Sequence, residues 1–213
     1  MSMQQHALFP AEAISAESAS WPAGLKYQAD FITIEEEQAL LDIIGALPFR
    51  HSQYRQYTAR RRTVNYGAGY DFQHHLRTPA PEIPAFLANL RLRAACWLGI
   101  GPEAFGQALI SEYQPGTPLG WHRDVPDYET IVAVSLVSAC RIRFRRYPWN
   151  PLERHDIFAI EPQPRSAYAL SGDARWKWQH SVPAVKTLRY SITLRTLRHG
   201  RHRGRVEAPP QLA

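Results

Sequence analysis

Two cysteines in 213 residues, Cys96 and Cys140, are too few for a disulfide framework, and both lie in apolar runs. They read as reduced thiols of a core. No stretch approaches the length of apolar chain that a membrane span needs. Met1 to Pro10 lacks the basic start and apolar run of a signal peptide. Internal repeats and low-complexity tracts are absent as well. Together these absences set aside disulfide scaffolds, membrane proteins and solenoids. A cytoplasmic globular protein, monomeric and without a membrane partner, is the expectation.

What is present suits one domain with a full core: 45% hydrophobic and 21% charged residues. The net charge is +6, which is compatible with a phosphate-rich partner. The arginines are also clustered, at Arg60, Arg61 and Arg62, at Arg141 to Arg146, and at Arg195 to Arg205.

Residues 1–20 read as a loose leader without a period. Lys26 to Phe31 reads as a short strand. Thr33 with Glu36 has the spacing of a capping box and predicts a helix through Ile44, stopped by Gly45 and Pro48. A polar, aromatic stretch follows from His51 to Phe72. A second helix is predicted over Ile83 to Leu98, with Phe86, Leu87, Leu90, Leu92, Ala95 and Trp97 apolar. After Gly101 short alternating runs dominate: Ala108–Tyr113, Thr130–Ser138, Arg141–Arg145, Asp156–Ile160, Ser166–Leu170 and Arg189–Thr196. Pro, Gly and Asp clusters separate them, which predicts a sandwich or barrel.

His122-Arg123-Asp124 carries the first chemistry. On an extended segment residues i and i+2 point the same way, so an imidazole and a carboxylate can meet one ion. His180 is the candidate third ligand. Two histidines and a carboxylate form the facial triad of non-haem iron(II) oxygenases. The tripeptide by itself is more often a surface turn than a ligand pair, and zinc is the competing metal.

Arg189-Tyr190-Ser191-Ile192-Thr193-Leu194-Arg195 alternates cleanly. Its polar face, Arg189, Ser191, Thr193 and Arg195, suits either water or an anion inside a barrel. Guanidinium offers a carboxylate a bidentate fork. Tyr113, leading into the Pro115-Gly116 turn, places a phenol within reach of the same anion.

Taken in order, Tyr113-Gln114-Pro115-Gly116, His122-Arg123-Asp124, Trp178-Gln179-His180 and Arg189 to Arg195 resemble the AlkB family of dioxygenases, of the bacterial type. Arg61-Arg62-Thr63-Val64-Asn65-Tyr66-Gly67 with Gly69-Tyr70 looks like that family's nucleotide-recognition segment. The resemblance implies an α+β fold, with a double-stranded β-helix (jelly roll) core, N-terminal helices and a recognition lid. It implies one dioxygenase domain over residues 21–200, with the lid near 50–75, the jelly roll near 105–198 and a basic tail at 201–213. It implies His122, Asp124 and His180 as Fe(II) ligands and Arg189 as partner of the distal carboxylate of 2-oxoglutarate. Tyr113 would hydrogen-bond this co-substrate, Ser111 and Ser191 would line its site, and Arg195 would sit beside Asp124. Fe(II), 2-oxoglutarate and O₂ are the implied cofactors.

The implied reaction is oxidative demethylation, releasing succinate, CO₂ and formaldehyde. Single-stranded DNA or RNA carrying N-alkylated bases is the implied partner. Tyr66, Tyr70, Phe72 and Trp178 are candidates to stack on a flipped base, and Arg60, Arg61 and Arg62 to contact phosphate. Ser111 and Ser191 stand where better-known members have Asn, and Pro126 where some have an acid. Serine cannot reproduce both contacts of an amide. Alternative readings are the same chemistry on tRNA wobble bases or protein methyl-lysine, and a catalytically silent nucleic-acid-binding module.

Overall fold

Thr33 accepts the backbone N–H of Glu36 at 3.2 Å, and Glu36 accepts that of Thr33 at 2.8 Å. This reciprocal cap starts α1, Ile34–Ile44, where the spacing predicts it. The computed structural model describes residues 21–54, 57–71, 76–150 and 157–198. The leader, Phe72 and the basic tail lie outside the described residues.

The second helix, α2, runs Ala88–Leu98 and begins later than its apolar pattern predicts. Pro84 holds an extended conformation and a single 3₁₀ turn, Ala85–Leu87, intervenes. Its core face is Leu90, Ala94 and Ala95. Leu92 is 53% exposed, and Cys96 is exposed rather than a core thiol. Two residues on from Leu90 or Ala94 is about 200° round the helix, which points both side chains to solvent. Cys140 is buried as expected.

The strands are β1 Leu25–Gln28, β2 Arg50–Tyr54, β3 Tyr57–Tyr66, β4 Ala68–Asp71, β5 Leu76–Pro79, β6 Phe105–Tyr113, β7 Leu119–His122, β8 Tyr128–Leu136, β9 Ile142–Arg146, β10 Ile157–Ile160, β11 Ala167–Leu170, β12 Trp178–Val182 and β13 Arg189–Leu197. A short helix, α3, Gly172–Trp176, precedes β12. The large sheet has the order β1-β11-β8-β13-β6-β3-β2, and the small sheet β10-β9-β12-β7. Every pairing in both is antiparallel.

Two cores explain the layering. One face of the large sheet packs Ile110, Val134, Ile192 and Leu194 against Leu40, Ile44, Leu87 and Leu90 of the helical layer. Its other face packs Tyr113, Ile131, Ala133 and Leu170 against Ile142, Phe144, Trp178 and Val182 of the small sheet. A helix layer on one face and a second sheet on the other is a jelly roll with an α-helical flank.

The stretch 57–66, which has no strand pattern of its own at first reading, is a full member of the large sheet, paired to β6. At Gly67, φ is +77°, and a Cβ there would collide with the Gly106 carbonyl. Glycine thus lets the chain leave the large sheet and form the separate β4–β5 hairpin.

Candidate metal and co-substrate site

Backbone pairing brings the triad together. In β12 and β7, His180 lies directly opposite His122. Their rings are 4.2 Å apart, and His180 Nε2 is 3.7 Å from Asp124 Oδ2. One ligand atom from each of His122, Asp124 and His180 lies within 4.8 Å of the others. His122 Nδ1 is 2.9 Å from the Gly120 carbonyl. A carbonyl only accepts, so Nδ1 carries the proton and Nε2 keeps its lone pair for a cation.

The electrostatics suit a cation. Burial lowers the pKa of His122 and pushes His180 down to about 3, so both rings are neutral near pH 7. Burial alone would raise the Asp124 carboxyl, but Arg195 leads the charges that hold it well below the usual carboxylate range. Two neutral imidazoles and one carboxylate are the protonation states in which these groups ligate a metal.

The turn that delivers β7 is Gln114-Pro115-Gly116-Thr117. Thr117 N–H donates to the Gln114 carbonyl at 3.0 Å, and Gly116 has φ +83°. Pro then Gly at the two central positions is what a type II turn demands.

The face of β13 predicted to be polar points between the sheets. Arg189, only 2% exposed, donates from Nη2 to Ser135 Oγ at 2.8 Å. Its Nε has no partner, and no carboxylate among the described residues pairs with it. Its guanidinium lies 5.2 Å from the Tyr113 ring centre. A buried, unneutralised cation is costly unless an anion joins it. The dicarboxylate of 2-oxoglutarate fits that need. Thr63, Ser111, Ser191 and Ser135 align across four neighbouring strands beside it.

Arg195, 8% exposed, donates from Nη2 to Asp124 Oδ1 at 2.5 Å and from Nη1 to Gln107 Oε1 at 2.8 Å. Gln107 in turn donates to Asn65 Oδ1 at 3.2 Å and the Ala68 carbonyl at 2.9 Å. Buried Arg175 in α3 donates to the carbonyls of Asp124, Val125 and Tyr128, at 3.1, 2.7 and 2.9 Å. It fixes the loop that carries Asp124. Gln107, Arg175 and Ser135 escape sequence reasoning, since no motif or period marks them.

The substrate candidates divide. Arg61 faces the site: its Nη1 lies 3.5 Å from the Tyr113 hydroxyl. Arg62 points to the opposite face and forms a bidentate pair with buried Glu112, at 2.8 and 2.9 Å. Strand alternation separates the two, and Arg62 is occupied structurally rather than open to phosphate. Tyr66 likewise turns to the helix layer, edge-on to Phe86 at 6.4 Å. Trp178 is 9% exposed and packs edge-on to Phe158 at 5.2 Å, so it fills core rather than an open stacking wall. Tyr70 is half-buried; burial, then Asp127 and Asp71, raise its phenol. Asp127 lies three residues past Asp124, and its charge reaches the Tyr70 phenol. Arg60 is exposed.

A jelly roll with this donor set and a buried arginine on the facing strand defines a non-haem iron oxygenase. The family profile of the 2OG-Fe(II) oxygenase superfamily matches residues 25–203. The chain is 29% identical to the "Alkylated DNA repair protein ALKBH8 homolog" of Arabidopsis thaliana, over 83% of this chain and 59% of the relative. It is 26% identical to "tRNA (carboxymethyluridine(34)-5-O)-methyltransferase ALKBH8" of Mus musculus, over 78% of this chain and 25% of the relative. It therefore spans only part of these relatives. The structure of OsALKBH1 superposes with a TM-score of 0.66 at 14% identity, covering 83% of this chain and 98% of that one. A 2OG-Fe(II) oxygenase from Burkholderia pseudomallei superposes with a TM-score of 0.58 at 17% identity, covering 83% and 86%. The chain belongs to the 2OG-Fe(II) oxygenase superfamily, and the relatives it resembles carry ALKBH8 names. Its cofactors are accordingly Fe(II), 2-oxoglutarate and O₂.

Proposed function

We propose that this oxygenase removes N-alkyl groups from the bases of single-stranded DNA or RNA. His122, Asp124 and His180 hold the iron. Arg189 anchors the distal carboxylate of 2-oxoglutarate, with Tyr113 as hydrogen-bond partner and Ser111 and Ser191 lining the same pocket. Iron held there would supply O₂ activation coupled to decarboxylation of 2-oxoglutarate to succinate and CO₂. One oxygen atom goes to succinate and the other to the N-methyl carbon. The resulting hemiaminal loses formaldehyde and leaves the free amine.

The observation that supports a base as substrate is the path of residues 57–71. This one segment brings a cation, Arg61, to Tyr113 and an aromatic, Tyr70, to the vicinity of Asp127. Enzymes that extrude a base read it by stacking and polar edge contacts. The names of the plant and mouse relatives point in the same direction, to alkylated DNA and to tRNA.

The test is anaerobic binding of Fe(II) and 2-oxoglutarate, then O₂ with a panel of N-methylated single-stranded DNA and RNA and tRNA. Succinate with formaldehyde on one substrate confirms the reading. Succinate without demethylation of any strand moves the chemistry to another substrate class.

A further inference from the structure

The outward face of the small sheet, behind the two histidines, carries a cluster that the oxygenase chemistry does not use. On β9, Arg143 and Arg145 project to the same side. Arg143 Nε donates to Ser181 Oγ at 3.2 Å, and Arg145 Nε to Gln179 Oε1 at 2.8 Å. Both guanidinium groups lie over Trp121, 5.1 and 4.5 Å from its ring centre, and Arg145 also lies 5.1 Å from that of Trp149. Neither arginine pairs with a carboxylate among the described residues, and the outward positions of β7, β12 and β9 carry no acid. Burial, then the neighbouring Arg143, lower the pKa of Arg145.

The arrangement is directional. Each Nε bonds a side chain of the neighbouring strand and each guanidinium lies over an indole, which leaves the terminal N–H pairs to meet a ligand. The planar guanidinium fork matches a phosphate diester, and the attraction of each cation to the tryptophan ring holds it in place. β7 is the edge strand of the sheet, so the patch continues round one strand to the metal loop. On that path Arg123, between His122 and Asp124, lies 3.7 Å over the Tyr147 ring.

We propose that Arg143 and Arg145 form a phosphate clamp for single-stranded nucleic acid, separate from the base site. It holds the backbone flanking the nucleotide that enters the chamber. The inference extends the function proposed above, but its test needs neither iron nor an alkylated base.

The test is binding of an unmodified single-stranded oligonucleotide to the full chain, followed by fluorescence anisotropy across a salt series. Arg143→Gln with Arg145→Gln is expected to weaken binding tenfold or more. It is also expected to flatten the log–log salt slope by about 1.4, the value for two phosphate contacts on a single strand. Lys26→Gln with Lys186→Gln removes the same charge from exposed sites elsewhere and is expected to change little. Equal weakening by both pairs would reduce the clamp to net charge and overturn it. Wild type is also crosslinked to a photoreactive strand, a readout that no misfolded variant affects. Crosslinks at the peptides of Trp121 or Trp149 support the clamp, and crosslinks confined to other peptides refute it. Loss of demethylation with the clamp intact would fault the function, and the reverse would fault the clamp alone.

Discussion

Arg195 holds one oxygen of Asp124 and leaves the other to the histidine side. Nη2 lies 2.5 Å from Oδ1, while Oδ2 lies 3.7 Å from His180 Nε2. The carboxylate therefore presents a single oxygen to a cation, oriented from behind. A partner of this kind commonly controls metal affinity by 10- to 100-fold. Arg195→Met is expected to weaken Fe(II) binding within that range, measured by anaerobic titration. Affinity unchanged from wild type would remove Arg195 from the metal site.

His122→Ala is expected to abolish succinate formation and leave the far-ultraviolet circular dichroism spectrum unchanged. The ring lies at the edge strand of the small sheet and its loss opens little of the core. Retained turnover would refute the triad.

Arg189 is a cation that the fold buries with no carboxylate partner among the described residues. Arg189→Met is expected to raise the KM for 2-oxoglutarate about 100-fold, equivalent to roughly 3 kcal/mol, and leave that for oligonucleotide nearly constant. The same change is expected to leave the melting temperature of the cofactor-free protein level or higher, because an unpaired charge leaves the core. Added 2-oxoglutarate then stabilises wild type and not the variant. A cofactor-free variant that melts several degrees lower would show that Arg189 is structural.

Arg61 and Arg62 are adjacent and should behave oppositely. Arg62→Ala strips the main partner from buried Glu112 and is expected to cost about 1–3 kcal/mol of stability, with substrate KM little changed. Arg61→Ala is expected to raise substrate KM with a small change in melting temperature. Matching effects from the two would contradict the opposed faces.

The histidines set an acid limit for the metal-free protein. An unfolded chain protonates them near pH 6.5, whereas the folded His180 resists to about 3. Their contribution is complete above pH 6.5 and drains as the pH falls, for His180 towards 3, because the unfolded state then binds more protons. Asp124, depressed as well, acts in the same direction at lower pH. His180→Asn is expected to show a shallower loss of melting temperature between pH 7 and pH 4.5. Parallel curves would contradict burial as the cause.

Local signals were legible where chemistry and period coincide in one short segment. The Thr33–Glu36 cap, the Pro115-Gly116 turn, the alternating strand of Arg189 to Arg195 and the HxD tripeptide each carry their meaning within a few residues. His180 as the third candidate ligand was legible as a possibility from the donor types and was made specific by the ordered resemblance of motifs. That it lies across from His122 depends on the pairing of β12 with β7, which no local pattern states. The same holds for the opposite fates of Arg61 and Arg62, the inward turn of Trp178 and the exposure of Cys96. Strand and helix phase decide which face a side chain takes, and the packed layers decide what that face meets. The sequence by itself thus marked the candidate donors, the arginine-bearing strand and the resemblance to a known family, but not the strands β7 and β12 that carry the two histidines. Only the tertiary structure decided that Arg175 would clasp carbonyls of Asp124, Val125 and Tyr128 and that Arg189 would lie buried with no counter-ion among the described residues. Both follow from long-range packing, which places residues far apart in the chain at hydrogen-bonding distance and leaves no trace in local order.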